Sequence, residues 1–364
     1  MCREATGWSR KKGPAHAVFC MFHIKGDVSM TDHPHFESDI ELNIGPSIEQ
    51  NEADMINMLM QDCTLCPRQC HVNRLAGQTG YCGETAAIKA ARAALHYWEE
   101  PCISGTKGSG TVFFSGCNLR CVFCQNYNIA NSNAGKVITP DRLVRIFMEL
   151  QDQGAHNINL VTPSHYIPQI VIALKRAKRQ GLDIPVVYNT SSYEEVSSLQ
   201  LLEGLVDIYL PDLKYVSPEL STQFSHAPDY FEKASAALAE MFRQVGTPVF
   251  ARQTRFGQGN EAYSLIKRGM IVRHLVLPGQ TKDSKKVLRF LHETYGDDIY
   301  VSIMNQYTPL PQVTNVSDLN RHVTAEEYAR VLHFADRLGI RNGFIQEGEA
   351  AAESFIPEFD GRGL

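Results

Sequence analysis

The sequence predicts an α/β fold: a partial (β/α)6-type barrel behind an N-terminal cysteine-rich module. Three observations carry this reading. From Thr111 onward, short apolar runs alternate with amphipathic helical stretches. Seven of the ten cysteines crowd into two groups, Cys63 to Cys82 and Cys117 to Cys124, leaving Cys2, Cys20 and Cys102 scattered. A chain of 364 residues, 43% hydrophobic, has room for one α/β domain of roughly 250 residues and a smaller module.

Composition excludes several classes. The hydrophobic fraction is near the globular average, against wholesale disorder. With 35 basic and 40 acidic side chains, a formal charge of −5 gives no general drive toward nucleic acid or anionic membranes. No apolar run approaches the roughly 18 residues that span a bilayer, so a soluble protein is expected. The apolar stretch from Ala17 to Phe22 is too short for a secretory signal and lacks a small-residue cleavage pattern. The seven grouped cysteines, at ligand-like spacings, then read as metal-bound thiolates in a reducing cytoplasm, rather than as disulfides.

Residues 1–54 mix Arg, Lys, His, Gly and Pro without a sustained period, which predicts a poorly ordered extension. Met30 is a candidate alternative start; the segment is not Arg-rich, against a mitochondrial presequence. Residues 55–105 form the cysteine-rich module, 106–347 the barrel and 348–364 a C-terminal tail.

Within the barrel the strand candidates are residues 111–115, 157–161, 185–188, 206–210, 270–277, 300–304 and 343–345. One helix starts with Thr139 as N-cap and Pro140 at its first position, placing Leu143, Ile146, Phe147 and Leu150 on one face. Ile170, Val171, Leu174 and Ala177 form a second stripe, stopped by Gly181. A third helix starts at Thr324, with Glu327 completing a capping box and Tyr328, Val331, Leu332, Ala335 and Leu338 as its apolar stripe. Strand–helix alternation argues for a parallel sheet with helices outside. The stretch from Ala234 to Arg268 exceeds one crossover and should hold an extra helix and a small insertion.

Cys117-Asn-Leu-Arg-Cys121-Val-Phe-Cys124 leaves the first barrel strand at what would be the C-terminal mouth, where barrels of this kind place their active sites. Three thiolates can hold three irons of a cubane 4Fe–4S cluster and leave the fourth open to a ligand. A zinc site would want a fourth protein ligand, and no histidine stands nearby in this loop. The bland alternative is three buried cysteines brought together by accident.

C-x3-C-x2-C with an aromatic residue before the last cysteine resembles the signature of radical S-adenosylmethionine (SAM) enzymes, in the branch like the pyruvate formate-lyase activating enzyme. The resemblance covers roughly Cys63 to Glu347 and implies a radical SAM barrel. It also implies a 4Fe–4S cluster on Cys117, Cys121 and Cys124 that chelates SAM, cleaves it reductively and releases a 5′-deoxyadenosyl radical for hydrogen abstraction. Phe123 and Gln125 would then lie by the cofactor. The end of the second strand, Leu160-Val-Thr-Pro-Ser-His165, departs from the family's Gly-Gly-Glu-Pro-like segment, leaving Thr162 and Pro163 as backbone contacts. Asn189, Asp212, Lys214 and His274 carry over as further SAM contacts. Asn189, Thr190 and Asp212 would form a monovalent-cation site, although an aspartate is usual where Asn189 stands. The implied partners are an electron donor such as flavodoxin or ferredoxin and a glycyl radical enzyme as protein substrate. Taken singly, Asp212 and Lys214 read as an ordinary ion pair and His274 as a core histidine.

Cys63-x2-Cys66-x3-Cys70, eleven residues, then Cys82 makes a four-thiolate set that suits zinc or an auxiliary 4Fe–4S cluster. Gly77 and Gly80 permit its tight turns, and a metal would stabilise a module too small for its own core. Arg68, Arg74 and Arg92 beside it read as solvated charge, or as a docking face for an acidic partner. Two other functions compete: a radical SAM enzyme acting on a peptide, RNA or small metabolite, and a non-catalytic iron–sulfur or zinc protein serving electron transfer or assembly.

Overall fold

The computed structural model describes residues 8–12, 18–22, 47–132, 134–251, 254–255, 262–347 and 357–364. The elements before the barrel are β1 (Trp8–Lys12), β2 (Val18–Phe22), α1 (Ser47–Gln61), β3 (Ile88–His96) and α2 (Pro101–Ser104). Then follow β4 (Ser109–Phe114), α3 (Tyr127–Ala130), β5 (Lys136–Ile138), α4 (Pro140–Asp152), β6 (Ile158–Val161), α5 (Ile167–Arg179) and β7 (Val186–Thr190). After these come α6 (Val196–Gln200), β8 (Ile208–Pro211), α7 (Pro218–Ser225) and α8 (Tyr230–Val245). The short strands β9 (Val249–Phe250), β10 (Thr254–Arg255) and β11 (Ala262–Tyr263) lead into β12 (Ile266–Leu275). The chain finishes with α9 (Thr281–Tyr295), β13 (Tyr300–Met304), α10 (Ala325–Leu338) and β14 (Gly343–Glu347).

Seven strands run parallel in the order β4-β6-β7-β8-β12-β13-β14. Each overlaps one of the seven strands expected from the sequence. β4, β6, β7, β8 and β13 are buried along their whole length, as strands covered on both faces must be. Antiparallel strands continue the sheet at both ends: β3 then β5 beyond β4, and β2 then β1 beyond β14. The barrel is therefore partial, with an open side.

The helices form for the reasons the sequence supplies. Thr139 Oγ1 accepts from Arg142 N at 3.1 Å to cap α4, whose Leu143, Ile146, Phe147 and Leu150 are buried. Thr324 and Glu327 form the reciprocal capping box of α10. Gly181, with φ +98°, ends the turn after α5. Between Ala234 and Arg268 the expected insertion contains the end of α8, β9 against the start of β12, and a β10–β11 hairpin.

Much of residues 1–54 lies outside the described residues. The described part of that stretch contains β1 and β2 and most of α1, and β2 pairs in register with β14 from Phe22↔Gly343 to Val18↔Glu347. Residues 357–364 are stitched along β3: Ala93 N donates to Arg362 O (2.8 Å), and Arg92 Nη1 to Glu358 O (2.8 Å) and Asp360 Oδ1 (3.0 Å).

Candidate functional site

The loop after β4 begins at Gly116, which has φ +83°. A Cβ here would stand 2.5 Å from Glu84 Cγ and 2.9 Å from Cys82 O, so only glycine lets the cysteine-rich module close on the loop. Leu119 N donates to Cys117 Sγ (3.3 Å), and Ser225 Oγ donates to Cys121 Sγ (3.0 Å). Cys124 N closes a turn onto Cys121 O (3.1 Å), while Gln312 Nε2 donates to Cys124 O (3.1 Å). All three cysteines are free. Burial pushes the Cys121 thiol up to about 11, Lys214 opposing it. Cys124 is raised further, by burial and then by its two sister sulfurs. Buried thiols become thiolates at neutral pH when a metal supplies the positive charge. Among the described residues no three His, Cys, Asp or Glu side chains close around a single ion. A cubane does not require that, because each thiolate takes its own iron. Donor type and spacing thus fit a 4Fe–4S cluster.

Beside this loop, inside the mouth of the sheet, lies a cavity of about 220 Å³. Cys121, Cys124, Phe123 and Gln125 line one side; Asn189, Asp212, Lys214, Arg273 and Glu99 form a polar floor. Arg273 is the hub. It donates through Nε to Asp212 Oδ1 (2.8 Å), through Nη1 to Glu99 Oε2 (3.1 Å) and through Nη2 to Asn189 Oδ1 (2.5 Å). Lys214 Nζ donates to the other Asp212 oxygen (2.7 Å), and Asn159 and Asn189 both donate to Glu99 Oε1 (3.0 and 3.2 Å). Burial alone would raise the Asp212 carboxyl, but Arg273 and Lys214 hold it below its ordinary value. For Glu99 burial wins over Arg273, and its carboxyl is raised.

The expected SAM-site residues divide into two groups. Phe123, Gln125, Asn189, Asp212 and Lys214 all line the cavity. Phe123 is held edge-on to Tyr215 and tilted against Tyr307 (ring centroids 6.4 and 6.2 Å), and Gln125 Nε2 donates to Gln306 O (2.8 Å). Thr162 and Pro163 follow the cavity residue Val161, and Thr162 N is used up on Asn189 O (3.0 Å). His274 points away from the cavity. On β12 successive side chains alternate, so Arg273 and Leu275 face the cavity while His274 is buried behind them with Nδ1 on Leu213 O (2.8 Å). Burial lowers its pKa to about 4, which leaves a neutral imidazole.

Of the oxygens expected at a monovalent cation, Asp212 and Asn189 accept from Arg273, and Thr190 Oγ1 donates to Glu194. One expectation needs correction: the arginines near the module are not solvated charge or a docking face. Arg74 is fully buried, Arg68 binds backbone carbonyls of the barrel, and Arg92 clamps the C-terminal residues.

Sequence reasoning missed Glu99 and Arg273, and also His96, Trp98 and Pro357, which line the cavity's open side. Period-two alternation in β12 was the available signal for Arg273. Glu99 sits in an irregular stretch after β3 and carried none.

Residues 111–291 match the radical SAM superfamily. A curated relative from Methanocaldococcus jannaschii, described only as an uncharacterized protein, is 28% identical over 319 residues, covering 85% of this chain and 84% of its own. The pyruvate formate-lyase-activating enzyme of Clostridium pasteurianum is 28% identical over 116 residues, 30% of this chain and 46% of that one. Among solved structures, SuiB of Streptococcus suis bound to its precursor peptide SuiA aligns at 15% identity with a TM-score of 0.42, covering 64% of this chain and 46% of that chain.

Proposed function

We propose that this chain, which carries a radical SAM domain over residues 111–291, holds a 4Fe–4S cluster on Cys117, Cys121 and Cys124 and binds SAM in the adjoining cavity. When bound and reduced, the cluster supplies the electron that splits SAM into methionine and a 5′-deoxyadenosyl radical, which then abstracts a hydrogen atom. The observation that carries this reading is that Cys121 and Cys124 share one cavity with Asp212, Lys214 and Arg273 at the C-terminal ends of parallel strands, and with Glu99 from the stretch after β3.

The chain's own residues have separable tasks. Asp212 and Glu99 are acceptors for ribose hydroxyls or an ammonium group, and Lys214 and Arg273 fix the direction of those carboxylates. Phe123, braced by Tyr215 and Tyr307, offers an apolar face for a purine. Buried Leu210, Ile271 and Val187 behind the polar floor keep the sheet side dry.

For the hydrogen donor we propose a glycine in a protein partner, with a flavodoxin or ferredoxin as reductant; the local match to the Clostridium enzyme supports this choice. The test of the donor is isotopic. Protein from host cells grown on dideuterated glycine is incubated anaerobically with reduced enzyme and SAM. Deuterium recovered in 5′-deoxyadenosine is the expected result; label-free product would exclude glycine as the donor and leave a peptide side chain, RNA or a metabolite.

A further inference from the structure

The radical SAM reading leaves the upstream cysteines and three arginines unused. Cys63, Cys66 and Cys82 are buried, Cys70 is partly so, and all four are free thiols. Tyr81 N already donates to Cys70 Sγ (3.2 Å), and Gly80 is the residue that lets the chain pass that sulfur, since a Cβ would meet it at 2.7 Å. The small apolar cluster of Met60, Cys63 and Leu65 is too limited to hold some thirty residues by burial alone.

Arg74 is the second, independent sign. Its side chain is 1% exposed, and its donors reach His165 O (2.6 Å), Thr85 O (2.7 Å) and, more distantly, Cys63 Sγ (4.0 Å). Among the described residues it forms no ion pair. Glu84, the buried acid near it, instead accepts from the Tyr166 hydroxyl (3.2 Å). Arg74 Nε and Glu84 Oε1 are buried without partners. A buried guanidinium lacking a counter-ion is strongly unfavourable, so a negative charge belongs beside it; among the described residues Glu84 makes no ion pair with it, and the thiol set, with Cys63 Sγ at 4.0 Å, is the group its donors approach.

We infer that Cys63, Cys66, Cys70 and Cys82 carry a second thiolate-bound metal centre, with Arg74 as its buried counter-charge. Four thiolates on a divalent ion or on a cubane leave a net negative charge, which is what the guanidinium lacks. The donor set suits a cubane as well as a single divalent ion, and the cubane is the form put to the test. The centre is docked directly on the loop of Cys117–Cys124. Arg68 donates to Asn118 O (2.8 Å), His226 O (2.6 Å) and Ser225 O (3.1 Å), and Ser132 Oγ donates to Cys82 O (3.2 Å). Ser225 is also the residue whose hydroxyl meets Cys121 Sγ. The two cysteine groups therefore share a wall.

The test removes the first site. A Cys117→Ala/Cys121→Ala/Cys124→Ala variant is purified anaerobically, and separate portions are treated with ferrous iron plus sulfide and with zinc. About four irons and four sulfides per chain are expected, lost when Cys66→Ala is added. One zinc per chain and no iron would retain the centre and overturn the cubane. No metal in either portion of a chain with wild-type circular dichroism would overturn the centre itself, whatever the fate of SAM cleavage in the intact protein. In the same background, Arg74→Gln should make the reduction potential more negative and Arg74→Lys should restore it; an unchanged potential in both would overturn the counter-charge role.

Discussion

The substitution Arg273→Met isolates the hub of the cavity floor. It deletes three hydrogen bonds, to Asp212, Glu99 and Asn189, at 2.8, 3.1 and 2.5 Å. The consequences differ by partner. Asp212 keeps Lys214 at 2.7 Å and stays ionised. Glu99 keeps only amide donors from Asn159 and Asn189, so a buried carboxylate loses its cation. Removing one member of a buried pair costs about 3–5 kcal/mol. Because Asp212 remains paired, the lower end, about 3 kcal/mol, is expected here. The assay is urea unfolding at neutral pH, with the slope checked for constancy. Glu99→Gln in the Arg273→Met background should recover about 2 kcal/mol, since the stranded charge is then gone. Arg273→Lys keeps a charge but cannot bridge three partners, and should fall between the two. A loss below about 1 kcal/mol for Arg273→Met, or no recovery in the double variant, would refute the argument that Glu99 depends on this guanidinium.

Other perturbations test the remaining parts. Arg68→Ala removes three charged hydrogen bonds between module and barrel and should cost roughly 2–3 kcal/mol in the same unfolding assay. Gly116→Ala forces a side chain into the left-handed region and against Glu84 and Cys82; about 3 kcal/mol is expected, read as a matching fall in the urea midpoint. Burial lowers His96, His165 and His274 from 6.5 to about 4, 3 and 4. The unfolded chain then binds protons first as pH falls below 6.5, and each histidine forfeits about 2 kcal/mol of stability by pH 5. Glu194, raised by burial to about 7, acts in the opposite direction between pH 4.5 and 7. These four groups together lose roughly 3–4 kcal/mol from neutral pH to pH 5, and the raised carboxyls of Glu99 and Glu100 offset part of it; His274→Gln should shrink the fall in melting temperature over this range, and an unchanged pH dependence in that variant would contradict the assignment.

All seven parallel strands were legible because each carries a short apolar run, and β4, β6, β7, β8 and β13 are buried along their whole length. The cysteine loop was legible from spacing and from its place after the first of those strands. β3 was not. Ile-Lys-Ala-Ala-Arg-Ala-Ala-Leu-His is rich in helix-favouring alanine, lysine and arginine, and pairing with β4 and β5 overrides that preference. His274 was chosen by resemblance, whereas the strand's alternation puts Arg273 into the cavity and His274 behind it. Arg74 looked like surface charge, because nothing in one sequence says that a guanidinium will be enclosed.

The most direct test of the central claim is anaerobic. The full chain is reconstituted with iron and sulfide, reduced and given SAM, and 5′-deoxyadenosine is measured against bound iron for the wild type and for Cys124→Ala. Product from the wild type, absent in Cys124→Ala together with about four of the irons, is the predicted result. A wild-type cluster that is loaded, reducible and in the presence of SAM, yet yields no 5′-deoxyadenosine, would contradict it.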